Sequence, residues 1–193
     1  MNNMSIADIK REYHLDNLCI QNTAQLENAA IVIQSSLKSL VDLKGTKQPK
    51  QVEASLCRHI VIDSYSVIED VIVCLAYKIQ NKCLTCHKNC LYRSNSLRSS
   101  FDEHKNAMKA FDNGYSYLTK IGIISLTSDA RAFYDSFRSS RNNVHLTRNA
   151  KIISKDPIYT IKNCEICLDY MKKLFQVMNT NYNEFLKETR CGR

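Results

Sequence analysis

Glycine and proline are scarce in this chain of 193 residues: four glycines and two prolines leave little punctuation for a fold with many strands and tight turns. That argues against a β-sandwich, while 44% hydrophobic and 24% charged residues, close to the globular balance, argue against disorder and collagen. The first fourteen residues hold no apolar run of the kind a secretory signal requires. The most apolar stretch, 60–79, is interrupted by Asp63, Glu69 and Asp70, which argues against a membrane span. No glycine-rich phosphate loop is present, which argues against an ordinary nucleotide triphosphatase or dinucleotide oxidoreductase. The expectation is a soluble cytoplasmic protein without a membrane partner. Its length suits one domain with a real core, and no internal repeat or linker divides 1–193.

What the chain has instead is unevenly placed positive charge. Basic residues number 27 against 19 acidic ones, a net of +8. Residues 78–98 carry Lys78, Lys82, Lys88, Arg93 and Arg98 with no acid. Residues 131–155 set Arg131, Arg138, Arg141, Arg148, Lys151 and Lys155 against Asp135 alone, so each segment nets +5. Charge gathered this way suits a polyanion, with nucleic acid the leading candidate; two solvated basic faces are the competing reading.

Apolar residues recur at helical spacing through most of the sequence, and sustained two-residue alternation is hard to find. The periodicity predicts an all-α, single-domain bundle of about five helices. A first helix is expected over about 16–43 and a central one over about 52–80, the latter apolar nearly all round at Val67, Ile68, Val71, Ile72, Val73, Cys74 and Leu75. A Cys- and Ser-rich connection at 81–98 separates it from helical spacing at 99–111. Asp112-Asn113-Gly114 then offers a turn before a short helix at 115–122. Thr127 or Ser128 is placed to cap a helix from Asp129, and Asp156-Pro157 resembles the start of a final helix running to about 187.

The helix expected over 126–146 carries the candidate site. With Phe133 set to zero at about 100° per residue, Ala130, Phe137 and Val144 form an apolar stripe, and Tyr134, Arg138, Arg141 and His145 fall beside it at about 80–140°. Guanidinium groups bind phosphate oxygens in bidentate fashion, and imidazole moves protons near neutral pH. The set therefore suits metal-independent cleavage of RNA. His145 would assist proton transfer as the 2′-OH attacks the adjacent phosphate, and Arg138 or Arg141 would stabilise the charge that accumulates there. An Arg/His-rich solvated helix face is the bland alternative.

The run Phe137-Arg138-Ser139-Ser140-Arg141-Asn142-Asn143-Val144-His145-Leu146 resembles the signature of the HEPN superfamily, the "higher eukaryotes and prokaryotes nucleotide-binding" domains, in which an Arg is followed after four to six residues by a His. Arg138 with six intervening residues fits that range, whereas Arg141-Asn142, which looks like the family's Arg-Asn pair, leaves three. Which arginine is catalytic stays open. Ser66-Val67-Ile68-Glu69 is similar to an earlier helix of that family and Cys164–Phe175 to the helix after the motif, so the resemblance covers about 50–178. It implies a helical bundle that dimerises to join two Arg/His sets and cuts RNA without a catalytic cofactor, leaving a cyclic phosphate. It also implies a toxin or antiviral-defence effector, with an antitoxin or defence-system protein as partner. Tyr134, on the same flank, and Asn142, which would orient RNA or His145, are the candidate substrate-binding residues. Members that have lost the motif act as non-catalytic RNA-binding or protein-interaction modules, which is the alternative function.

Nine cysteines without a secretion signal read as free thiols or metal ligands. Cys83, Cys86 and Cys90 have the spacing of zinc ligands in a Cys-rich loop, which suits a structural zinc; no fourth ligand is evident, and His87 adjoins Cys86 too closely to close the same tetrahedron. A zinc-stabilised nucleic-acid-binding protein is a third reading. Cys164 and Cys167 share helical spacing with Leu168, Met171, Leu174 and Phe175, so both are expected in the core, as are Cys57 and Cys74. His59, near the start of the central helix, either reaches the cleft or lies on the surface.

Overall fold

Ser5 opens the first helix, α1 (Ile6–Glu12), with a reciprocal cap: the Asp8 amide donates to the Ser5 hydroxyl and the Ser5 amide to the Asp8 carboxylate, each at 3.2 Å. Lys10 and Arg11 occupy the last turn, where the helix dipole favours cations. The chain then reverses through His14, whose φ of 55° is left-handed, into the single turn α2 (Leu15–Leu18). Ile9, Tyr13, Leu15 and Leu18 are buried by this reversal.

The computed structural model describes residues 4–18, 23–84, 92–93, 107–125 and 159–188, and all regular structure among them is helical. After α2 come α3 (Thr23–Gly45), α4 (Lys50–Leu84), α5 (Ala107–Lys120) and α6 (Ile161–Glu188). The first helix expected over 16–43 thus falls on two elements, α2 and α3, and α1 precedes both.

Helix α4 is the centre of the assembly. Its 35 residues span about 52 Å at the usual rise, and it packs against α3, α5 and α6. Three neighbours explain why Val67, Ile68, Val71, Ile72, Leu75 and Ala76 are all buried although they occupy more than one side of the helix. Ser64, a buried polar side chain of this helix, donates to the Ile60 carbonyl at 2.7 Å and so meets its own desolvation cost. Buried residues of α1 through α6 belong to one continuous apolar cluster.

Two expectations about boundaries are corrected. Asp112-Asn113-Gly114 does not turn: α5 runs unbroken through it. Gly114 faces α4, where a β-carbon would stand 3.5 Å from that of Ala76 and 3.7 Å from an Ile72 methyl, so the missing side chain serves close helix contact. The final helix opens at Ile161, with Thr160 as its cap; the Thr160 hydroxyl accepts from the Asn163 amide at 3.2 Å. Asp156-Pro157, the expected start, lies outside the described residues.

Candidate functional site

Arg138, Arg141, His145, Tyr134 and Asn142 lie outside the described residues, as do Cys86, Cys90 and the side chain of Cys83, whose backbone belongs to the last turn of α4. The described residues bear on the site through the anchors on either side of 126–158. On the near side, α5 ends in Gly122 at φ 81°, and the amides of Ile123 and Ile124 both donate to the Leu118 carbonyl, at 2.9 and 3.2 Å. Such a turn needs a left-handed residue, which is why glycine stands there. Ile123 and Ile124 are buried immediately afterwards; on the far side Tyr159 is buried immediately before the Thr160 cap.

Both anchors are tied to the same helix. The side-chain amide of Asn181 on α6 donates to the carbonyls of Gly122 and Ile123, each at 3.1 Å. The connection between α4 and α5 is fixed at one described point by similar means. Gln80 of α4 and the Tyr117 hydroxyl of α5 both donate to the Tyr92 carbonyl, at 2.6 and 2.7 Å, and the Tyr92 ring meets Phe185 of α6 edge-on at 4.9 Å. Lys78, the first residue of the basic segment 78–98, sits 5.4 Å over the Tyr182 ring.

A separate recess of about 170 Å³ opens between α3 and α4. Ala29, Val32, Val67 and Val71 make its apolar wall, with Asn28, Asp63, Ser66, Asp70 and Cys74 as polar lining. Residues 63, 66, 67, 70, 71 and 74 recur every three or four positions, which puts all of them on one face of α4. Burial raises the Asp63 carboxyl above the ordinary aspartate range, with His59, one turn earlier and exposed, opposing the shift. The seven-residue spacing of Asp63 and Asp70, which sets both on one helical face, is the signal in the sequence for this recess. His59 is at the surface, as one of its two readings held.

The thiols sort as follows. Cys57, Cys164 and Cys167 are fully buried, whereas Cys74 is half-buried and lines the recess. Burial pushes the Cys167 thiol up to about 12, and its contact with the Ser64 hydroxyl offsets part of that rise. Among the described residues no group of His, Cys, Asp or Glu is placed to hold a metal ion, and no helix is long and apolar enough to cross a membrane. Comparison with protein-family models, with curated proteins and with solved structures gives no match to this chain.

Proposed function

We propose that this chain is a metal-independent endoribonuclease of the HEPN type, acting on RNA in the cytoplasm as a homodimer and serving as a toxin or antiviral-defence effector. The observation that carries the reading is the Arg138 to His145 spacing, with Tyr134 and Arg141 on the same flank of one helical pattern, in a chain whose described regular structure is all helical. His145 takes the proton from the 2′-OH as that oxygen attacks phosphorus. The 5′-oxygen departs, leaving a 2′,3′-cyclic phosphate, and an arginine neutralises the phosphoryl oxygens in the transition state. A structural zinc at Cys83, Cys86 and Cys90 is an accessory proposal, measured by metal analysis of protein purified without chelator.

Cleavage of labelled tRNA and unstructured RNA in EDTA tests the assignment. Wild-type protein is expected to leave cyclic-phosphate ends, and His145→Ala to leave the RNA intact. Saturable binding without cutting, unaffected by the substitution, would replace the enzyme with the non-catalytic interaction module.

A further inference from the structure

Cys57 on α4 and Cys164 on α6 are 107 residues apart in sequence and meet at the contact between the two helices. The Cys164 thiol donates to the Cys57 carbonyl at 3.5 Å, which sets the two thiols side by side, close enough for each to shift the other. Both side chains are 0% exposed. Helices in direct contact have axes about 8–10 Å apart, which brings facing α-carbons near the about 4.4–6.8 Å that a disulfide spans. Cys167 is equally buried, but its hydrogen-bond partner is the Ser64 hydroxyl.

The geometry points to Cys57 and Cys164 as an oxidisable dithiol that a peroxide closes into a disulfide, stapling α6 to α4. The neighbouring thiols are unequal, that of Cys57 lowered by Cys164 and that of Cys164 raised by Cys57. The attacking thiolate is assigned to Cys57 on that direction. Its sulfur displaces hydroxide from hydrogen peroxide and becomes a sulfenic acid. The Cys164 sulfur then attacks that centre, its proton leaves with the departing hydroxyl as water, and the sulfur–sulfur bond forms. Two thiols and one peroxide give one disulfide and two waters. A partner thiol already in contact intercepts the sulfenic acid before further oxidation. Burial makes the first step depend on local opening, so reaction is slower than at an exposed cysteine.

The test uses the full chain, folded and reduced, treated with hydrogen peroxide, blocked with an alkylating reagent in denaturant and digested with trypsin without reduction. Cleavage at Lys50, Arg58, Lys162 and Lys172 isolates Cys57 in peptide 51–58 and Cys164 with Cys167 in peptide 163–172. The expected product joins these two peptides, fragments to a bond at Cys164 and disappears on treatment with dithiothreitol. Cys167→Ser retains it. Recovery of Cys57 as the alkylated or sulfinic form, or a bond from Cys57 to Cys167 or any other cysteine, would overturn the assignment.

Discussion

Asn181 reaches across from α6 to hold the backbone of Gly122 and Ile123, with both hydrogen bonds at 3.1 Å. One side chain thereby fixes the place where the chain leaves α5, just before the buried Ile124. Replacing Asn181 by Ala strands two carbonyls, one at a part-buried position, and is expected to cost about 1–3 kcal/mol. Urea denaturation measures this as a lower midpoint at unchanged slope. An unchanged midpoint would mean that water replaces the amide at no cost.

The glycines on either side of Thr119 make opposite predictions. Gly122 has a left-handed backbone, so Gly122→Ala is expected to destabilise by about 1–2 kcal/mol even though nothing crowds the new methyl. Gly114 is within a helix, and a methyl there meets Ala76 and Ile72 at ordinary contact distances. Gly114→Ala is therefore expected to stabilise by up to about 1 kcal/mol through helix propensity. Gly114→Leu would overfill the same contact and destabilise by about 1–3 kcal/mol. Thermal melts of the three variants check the order.

Asp63 and Asp8 should give opposite pH dependences. Burial is the main cause that raises Asp63, so its charged form opposes folding. Asp63→Asn is expected to gain stability over wild type as pH rises from the ordinary aspartate value of 3.8 through the raised folded value, and to match wild type below that window. Asp8 is lowered, first by its hydrogen bond with the Ser5 side chain, so its contribution is present above 3.8 and fades as pH falls through the folded value. Asp8→Ala should accordingly be destabilised near neutrality and converge with wild type in acid. Chemical denaturation of the three proteins from about pH 2 to about pH 7, which brackets the aspartate range, reads both signs.

If the chain is the endoribonuclease proposed above, single-turnover RNA cleavage separates the two arginines. Loss of a group that stabilises transition-state charge costs about 10²–10³ in rate, so Arg138→Ala is expected to fall by that factor. Arg141→Ala should fall less if it assists binding alone. The reverse order would move the catalytic role to Arg141 and shorten the spacing to three residues.

Much of the architecture can be read from local pattern. The apolar spacing around Val67 to Leu75 marked α4 as the enclosed helix, and the Cys164, Cys167, Met171 and Phe175 repeat marked the buried face of α6; both are as expected. The candidate catalytic side chains also come from spacing alone, since they lie outside the described residues. Gly114 was misread because Asp-Asn-Gly is a turn former in isolation. Contact with Ala76 overrides that preference, and no feature of 112–114 announces the contact.

Helix formation, the placement of charge and the identity of the apolar faces follow from residues within a few positions of one another, so the amino-acid order settles them. Asn181 against Gly122, and Cys57 against Cys164, join residues 59 and 107 positions apart. Local pattern does not say which residue each meets across the gap. That choice arises only when α3, α5 and α6 close around α4, because packing brings groups distant in sequence within bonding distance.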